Sequence, residues 1–426
     1  MIFTIIGLFI LLYSIRNFKS GFTIYMVFEL FYCPNAKIAN LTGIPSVPIY
    51  LFLSLAFVVL YNFKYRRVYS CREKFPLTIP FTIMVISRFA SCFTSLGGFT
   101  DELARSMGFL FNSVIEIWII WQIFETEEDY RKLLRNFCYA FLVVGIYGCF
   151  EYATRSNPVF EYKNSLLDSL QAYRDDGLRG YRLMSVFEHP IGAGMNCAAI
   201  IIFYFLAKFR YTNIFCKKNI GLLACILCLV CIFLTKMRAG ILFMAIGCLS
   251  FINFRSSNTY RLLLLTAVLG LIALPYLGEY ANVFYSLFDS DAANAVGGSN
   301  FEMRMDQLSA SLYFLSQSPI AGFGDQAIAN LTGDKASELL ALESVYFEEM
   351  VKHGGLGLLG VLVSIYYSVW KLPRHYASKP LLFISLSYWL TYSMTSIPSF
   401  RMNMYYILLF CCIKMSDVYH SRVRFT

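Results

Sequence analysis

The sequence predicts an all-α polytopic membrane protein with about 12 transmembrane helices and with one medium and one long extracytoplasmic loop. Of its 426 residues, 58% are hydrophobic and only 15% are charged, whereas soluble domains carry about 25% charged residues. Apolar runs close to the spanning length of about 20 residues recur along the chain. The short loops between these runs alternate between many and few Lys and Arg residues. We therefore expect residues 1–426 to form a single membrane domain.

The apolar runs set the expected positions of the spans. In chain order they are Ile2–Ile15, Phe22–Tyr32, Val47–Asn62, Leu77–Leu96, Met107–Phe124, Phe137–Phe150, Ile191–Ala207, Ile220–Thr235, Ile241–Phe254, Leu262–Leu277, Gly355–Trp370, Leu381–Thr395 and Tyr405–Cys412. The first two are short, and the sequence leaves open whether each crosses alone. Met1 leads directly into an apolar run without a preceding basic region, so no cleavable signal peptide is expected.

Lys and Arg residues in the short loops predict the orientation, because positively charged loops stay in the cytoplasm. One set of alternate loops carries clusters such as Lys64–Lys74 and Lys208–Lys218, and the C-terminal tail is also basic. This pattern predicts a cytoplasmic C-terminus, a first outer loop at residues 152–190 and a large outer loop at residues 278–350. The net charge of +9 is attributed to these loops, so no nucleic-acid partner is expected.

The large outer loop, Gly278–Met350, is the long interval without a spanning candidate. Its many carboxylates face only two basic residues, Arg304 and Lys335. A connection this long and polar is more often functional than a linker, although a solvated loop without chemistry is the alternative. Its last part, Glu343–Glu349, combines acidic and aromatic side chains and is the first candidate for a site.

Arginines in the predicted outer segments indicate a binding site for phosphate. Arg179 and Arg182 lie in the first outer loop, Lys236 and Arg238 occupy a tight turn between spans, and Arg304 stands among carboxylates. Each of them could simply pair with nearby acids. Three arginine-bearing segments at one membrane surface suit a lipid-linked phosphate or pyrophosphate better, because guanidinium groups bind phosphate oxygens bidentately.

Two charged residues fall near the middle of neighbouring apolar runs, Arg88 in one and Glu116 in the next. Charges inside a membrane are costly and usually functional. Because the connecting turn makes the two helices antiparallel, we expect both charges at similar depth, where they form a structural pair. The alternative is a proton- or ion-coupled transporter.

Several outer motifs resemble the O-antigen polymerase and ligase superfamily. Arg182–Gly192 resembles the segment that leads into a span in those proteins, and Thr235–Gly240 is similar to their short arginine turn. Arg304 followed by Ser318–Gly324 resembles the arginine and glycine-rich part of their large outer loop. Glu343 and Ser344, with Gly354 and Gly357 at matching spacing, resemble the end of that loop. The resemblance covers about residues 180–360.

One position separates the two branches of that superfamily. The ligases are expected to have a histidine immediately before the residue that corresponds to Ser344, whereas this chain has Glu343. Glutamate at this position is similar to the O-antigen or capsular polysaccharide repeat-unit polymerases. The resemblance therefore favours a polymerase and leaves an unusual ligase, which transfers glycan to a lipid A-core acceptor, as an alternative.

The resemblance implies a glycosyltransferase of the bacterial cytoplasmic (inner) membrane that acts at its outer face. Donor and acceptor would be oligosaccharides linked to a polyprenyl pyrophosphate, such as undecaprenyl pyrophosphate, in O-antigen, capsule or exopolysaccharide biosynthesis. Arg182, Arg238 and Arg304 would stabilise the departing pyrophosphate, and Glu343 would accept the proton of the attacking hydroxyl. The candidates for further substrate contacts are Arg179, His189, Lys236, Tyr346, Glu348 and His353.

No metal-ligand spacing stands out in the outer segments, so a reaction without metal or other cofactor is expected. Besides the bilayer, candidate partners are a chain-length regulator and a flippase. The rival function from another class is a polysaccharide flippase or other transporter, which would be expected to show internal repeats and broken helices around a midplane site. A non-catalytic assembly scaffold is a third possibility that the sequence leaves open.

Overall fold

The structure of the protein, a computed structural model, describes residues 2–31, 49–65, 75–166, 180–210, 218–252, 300–339, 342–395 and 402–416. Within these ranges the regular secondary structure is helical, as the apolar runs predict. Several sequence-based expectations fall outside the described residues. They are the span Leu262–Leu277, residues 278–299 of the large outer loop, residues 167–179 of the first outer loop with Arg179, most of the two basic clusters (66–74 and 211–217) and the C-terminal tail (417–426).

The described residues form the following helices. They are α1 (Ile2–Arg16), α2 (Phe18–Phe31), α3 (Ile49–Tyr65), α4 (Thr78–Ser91), α5 (Phe99–Phe109), α6 (Glu116–Ile123), α7 (Glu127–Thr154), α8 (Pro158–Leu166), α9 (Pro190–Arg210), α10 (Lys218–Leu234), α11 (Arg238–Leu249), α12 (Phe301–Gln317), α13 (Ala327–Asn330), α14 (Asp334–Ser337), α15 (Val345–Ile365), α16 (Leu372–Tyr376), α17 (Lys379–Tyr392) and α18 (Met402–Lys414). Two π-helical segments, Leu110–Ile115 and Tyr366–Lys371, join α5 to α6 and α15 to α16.

Among the described residues, four continuous helical stretches are long and apolar enough to cross a membrane: Phe99–Ile123, Glu127–Thr154, Pro190–Lys208 and Val345–Tyr376. Shorter apolar helices are Phe3–Arg16, Leu51–Tyr65, Thr78–Ser91, Ile220–Leu234, Arg238–Leu249 and Met404–Lys414. The all-helical membrane architecture is thus supported, while the total of about 12 spans and the loop layout stay predictions.

Small residues lie where helices of the bundle cross closely. A Cβ atom on Gly240 of α11 would lie 2.9 Å from the backbone of Gly194 in α9, so these helices cross in close contact. Gly360 of α15 faces Met84 of α4. Such small residues let membrane helices approach closely enough for good van der Waals packing. These contacts place α9 against α11 and α4 against α15.

Helix boundaries extend beyond the apolar runs on both predicted sides of the membrane, and α7, predicted from Phe137, already begins at Glu127 on the inner side. The stretch predicted to begin at Met107 is helical from Phe99, and the one predicted to begin at Gly355 is helical from Val345. The last residues of the predicted large outer loop are therefore helical. Hydropathy locates the apolar part of a helix only, because backbone hydrogen bonds continue through polar residues as well.

The predicted large outer loop also contains a helix of its own, α12. Asn300 caps this helix, since its side-chain oxygen accepts a hydrogen bond from the amide of Met303 at 2.8 Å. Buried residues of α12, α13 and α14 pack against the first turns of α15 and form a small second core. Its buried members are Ala310, Phe314, Ala327, Ala336, Leu339, Leu342 and Val351.

Candidate active site

Arg304 and Glu343, which the sequence assigned separately to pyrophosphate and proton transfer, form an ion pair. Nη2 of Arg304 lies 2.9 Å from Oε2 of Glu343. The guanidinium also donates to the carbonyl oxygens of Ser393 and Met394, just after α17, at 3.4 and 3.3 Å. The amide of Glu343 donates to the side-chain oxygen of Gln307 at 3.3 Å. The pair therefore joins α12, the start of α15 and the end of α17.

The Arg304–Glu343 pair keeps contact with solvent on one side. The Glu343 side chain is 37% exposed, whereas the Arg304 side chain is 15% exposed. An exposed carboxylate beside a sheltered guanidinium can be reached by a sugar hydroxyl. We therefore take this pair as the centre of the candidate active site.

A break in α15 lies nine residues after its start. Gly354 has φ 63° and ψ −154°, a conformation that essentially only glycine adopts. The loop Ser318–Gly324 inserts at this break and replaces the missing intrahelical hydrogen bonds. The amides of Phe323, Gly324, Gly355 and Leu356 donate to the carbonyl oxygens of Val351, Lys352, Pro319 and Ile320, respectively, at 3.1, 2.8, 2.8 and 3.2 Å.

Arg88 pairs with Glu349 of α15, so the predicted Arg88–Glu116 pair was wrong. Nη2 of Arg88 lies 2.7 Å from Oε1 of Glu349, and its guanidinium lies 3.8 Å from the ring centre of Phe109. Glu116 instead accepts a hydrogen bond from the hydroxyl of Tyr25 at 3.3 Å. Arg88 also lies in the last turn of α4 and not at its middle. The transporter hypothesis loses the pair that supported it.

We predict that Arg88 and Glu349 stabilise the protein as a pair. Both residues are 9% exposed, so Arg88→Gln or Glu349→Gln alone leaves a buried charge uncompensated, at a cost of about 3–5 kcal/mol. The double variant should regain part of this loss. The measurement is the thermal unfolding midpoint of purified protein in lipid, with Arg105→Gln on an exposed arginine of α5 as control. Additive losses in the double variant would contradict the pairing.

His353 is buried between α4 and the loop that follows Gly324. Its Nδ1 lies 3.2 Å from the hydroxyl of Ser91, and its Nε2 lies 3.6 Å from Oδ1 of Asp325. Burial raises the pKa of Asp325, but the hydrogen bond and charge of His353, with Lys352 and Arg88 nearby, outweigh burial and hold the pKa below its usual range. Asp325 is therefore ionised at neutral pH. His353 is 1% exposed.

Tyr346 and Glu348, the other two residues of α15 that are candidates for substrate contacts, each contact another residue of the protein. The hydroxyl of Tyr346 donates to the carbonyl oxygen of Trp389 in α17 at 2.8 Å. Glu348 forms an ion pair with Lys352 one turn later. Both side chains are partly exposed. Their proposed substrate contacts stay predictions.

The segment that carries Arg182 is held by a buried carboxylate. Glu151, near the end of α7, accepts hydrogen bonds from the hydroxyl of Tyr181 and the amide of Met184, at 3.1 and 3.2 Å, and from the amide of Ser185. Ser185 has φ 51°, a strained left-handed conformation for a residue with a Cβ atom. Arg182 is 5% exposed and lies against the thioether of Met237. The fold therefore brings the first outer loop to the turn at Lys236–Gly240.

Arg238 is the first residue of α11, and Lys236, two residues earlier, has φ 53°. A Cβ atom on Gly180 would lie 3.6 Å from the ammonium group of Lys236. The close Gly194–Gly240 crossing keeps the N-terminal ends of α9 and α11 together. Since helix N-termini carry partial positive charge, this end of the bundle favours an anion.

His189 lies just before α9 and accepts a hydrogen bond from the amide of Ile191 at 3.1 Å through Nδ1. Burial, and then the positive charge of Arg182, lowers the pKa of His189 to about 4. The ring is therefore neutral at pH 7. The neutral imidazole of His189 adds no positive charge next to Arg182, so the arginine supplies the charge there.

Helix α17 packs against α11, which begins with Arg238, and ends beside Arg304, so it connects these two arginines. Phe243 of α11 packs against Tyr388 of α17, with ring centres 6.4 Å apart, and Gly247 lies against the hydroxyl of Ser387. The start of α11 therefore points toward the end of α17. Because the carbonyl groups of Ser393 and Met394 hold Arg304 there, Arg238, Arg182 and Arg304 lie at the same end of the bundle.

Several residues around the site could not be identified from the sequence. Glu349 was one of many acids in the large outer loop, Glu102 lay in the predicted turn between two apolar runs, and Glu151 lay at the edge of an apolar run. All three are buried in the structure. The sequence contained a signal for Glu151 only. A carboxylate next to an apolar run needs hydrogen-bond donors when it is buried.

Comparison with known proteins supports the resemblance. Residues 223–362 match the family model described as O-antigen ligase, about a third of the 426 residues. The matched segment includes Arg238, Arg304, Glu343 and Gly354, but not Arg182. No curated protein matches the chain. With its apolar helices, the chain is thus a multi-pass membrane protein, and its similarity to the O-antigen polymerase/ligase superfamily, whose members are membrane enzymes that transfer glycans, is confirmed through residues 223–362.

Proposed function

We propose that this protein is a repeat-unit polymerase that joins polyprenyl-pyrophosphate-linked oligosaccharides at the outer face of the bacterial cytoplasmic membrane. The observation that carries the proposal is the 2.9 Å pair between Arg304 and Glu343. It joins a group suited to pyrophosphate and a group suited to a hydroxyl proton within the segment that matches the family. Glutamate before Ser344, where the ligases are expected to have histidine, favours the polymerase branch.

In the proposed reaction, a sugar hydroxyl of the acceptor attacks the anomeric carbon of the donor glycan. A new glycosidic C–O bond forms while the bond between the anomeric carbon and the pyrophosphate oxygen breaks. Glu343 takes the hydroxyl proton, and polyprenyl pyrophosphate departs with the bonding electrons. Negative charge therefore grows on the pyrophosphate, where Arg304, Arg182 and Arg238 stabilise the transition state more than the ground state.

The same ion pair implies, in this mechanism, that the donor binds before Glu343 accepts a proton from the acceptor hydroxyl. Without substrate, Arg304 neutralises Glu343. A bound pyrophosphate offers the guanidinium more acceptor oxygens with more negative charge than one carboxylate does. Donor binding would therefore draw Arg304 away from Glu343 and leave the carboxylate available for the acceptor hydroxyl.

The proposal is tested with purified full-length protein in lipid and a polyprenyl-pyrophosphate oligosaccharide. We expect a ladder of products with two or more repeat units. Transfer to a lipid A-core acceptor without a ladder would instead assign the protein to the ligases. If the protein only moves the donor across the bilayer, or forms no product although the donor binds, the glycosyltransferase proposal is wrong.

Replacing Arg304 should weaken the stabilisation of the departing pyrophosphate. We expect Arg304→Ala to lower kcat by about 10²–10³-fold, as for other groups that stabilise charge in a transition state. Arg304→Lys should recover only part of the rate, because lysine supplies charge without the planar fork. Arg105→Ala, on an exposed arginine of α5, serves as the control and should stay close to wild type. Equal rates for Arg304→Ala and this control would contradict the role of Arg304.

A further inference from the structure

Helix α12 and the first half of α15 run side by side in the same direction and are joined at two points. At their starts, Arg304 contacts Glu343. Just after the end of α12 and at the break in α15, the carbonyl oxygen of Pro319 accepts a hydrogen bond from the amide of Gly355 at 2.8 Å. Between these points both helices contribute to the small second core. Any movement of the loop after α12 would therefore be transmitted along the helix to Arg304.

That loop is fastened to the rest of the bundle by a buried polar cluster, which we call the clamp: Arg88, Ser91, Glu102, Asp325, Glu349 and His353. Glu102 accepts hydrogen bonds from the amide of Asp325 at 2.8 Å and from the hydroxyl of Ser91 at 3.3 Å. The amide of Leu96, in the turn between α4 and α5, donates to the carbonyl oxygen of Phe323 at 3.0 Å. The clamp thus connects three elements, namely α4–α5, α15 and the loop after α12.

The clamp is built almost entirely from buried groups. Ser91, Glu102 and His353 are at most 1% exposed, and Arg88 and Glu349 are 9% exposed. Buried polar groups need precise partners, because unpaired ones are costly in a medium of low dielectric constant. A network of this kind allows few alternative arrangements. It therefore favours one position of the loop over many similar ones.

We propose that the clamp is a positioning device, which fixes α12 against α15 so that Arg304 and Glu343 are held in their reactive arrangement. This proposal rests on the proposed function of that pair. In this proposal the clamp residues, including His353, which is only 1% exposed, act through the loop Ser318–Gly324 and not by contact with substrate. Displacement of reacting groups by about 1 Å can lower a rate about a hundredfold, so a loosened clamp should lower kcat even when the protein is folded.

The test uses Asp325→Asn, which keeps the size of the side chain and removes its charge. Spin labels on two genetically encoded residues, at exposed Thr154 of α7 and exposed Ser309 of α12, report the position of α12 relative to the bundle. Asp334→Asn, an exposed aspartate of α14, is the matched control. We expect a broader distance distribution and a kcat per folded molecule lowered about tenfold to a hundredfold, with a smaller change in KM.

The two readouts separate the clamp from the proposed function. If the parent protein forms no glycan product, the proposed function fails, and the distance measurement still tests the clamp. An unchanged distance distribution, or an unchanged kcat per folded molecule, overturns the positioning role. Should Asp325→Asn fail to fold, Ser91→Ala removes only one hydroxyl and is judged by the same two measurements, with the same direction expected.

Discussion

Glu343→Gln is expected to abolish the product ladder while the protein stays inserted and binds its donor. Glutamine keeps the size of the side chain and can still accept a hydrogen bond from Arg304, but it cannot take a proton at neutral pH. Loss of a general base costs about 10²–10⁴-fold in rate. The measurement is the ladder formed from a polyprenyl-pyrophosphate oligosaccharide, together with donor binding to the same preparation.

The control for this variant is Glu338→Gln, which changes an exposed glutamate of the same outer segment. It should produce a normal ladder. Full-length ladders from Glu343→Gln would remove Glu343 from the mechanism. Loss of both the ladder and donor binding would instead show that the carboxylate organises the binding site and does not serve as the base.

Gly354→Ala is expected to have the largest effect on folding. The φ of 63° and ψ of −154° at this position alone cost a residue with a Cβ atom about 1–3 kcal/mol. The added Cβ would also lie 2.6 Å from backbone atoms of Ile320 and 2.7 Å from the amide nitrogen of Gly322. Since backbone atoms cannot move aside as a flexible side chain can, the loop would have to leave the break. We expect little folded protein by size-exclusion chromatography and a lower unfolding midpoint.

Gly333→Ala separates the two causes of this effect. Gly333 has φ 101°, and no atom lies within 4 Å of the position of a Cβ, so this variant has the backbone strain without the clash. It should be destabilised less than Gly354→Ala. Equal losses in the two variants would mean that insertion of the loop into the break adds nothing to stability.

Local features of the chain were sufficient for the membrane class, whereas the side of the membrane on which the motifs lie stays a prediction from the basic loops. Apolar runs identify helices that can cross a bilayer, since a spanning segment must satisfy its own backbone hydrogen bonds and cover them with apolar side chains. The order of Arg182, Arg238, Arg304 and Glu343 along the chain supported the family resemblance, which residues 223–362 confirm. Each of these inferences depends on a short stretch of sequence.

The partners of charged groups depended on the tertiary structure. Arg88 was assigned to Glu116 because their helices are neighbours in sequence, yet its partner, Glu349, lies 261 positions away. A buried charge requires compensation, but this requirement does not specify which carboxylate provides it. Close packing of α4 against Gly360 of α15 places Glu349 there.

The role of Gly354 was decided in the same way. Its spacing from Ser344 is visible in the sequence, and Gly354 was expected, together with the three glycines after it, to permit close helix packing, as Gly360 does. That Gly354 breaks the helix follows only from the loop Ser318–Gly324, which supplies the hydrogen bonds that the break removes. A sequence by itself determines which segments are apolar, charged or free to adopt unusual backbone angles. Which of these segments meet is settled by packing and hydrogen bonding over the whole chain, because those interactions connect residues that are distant in sequence.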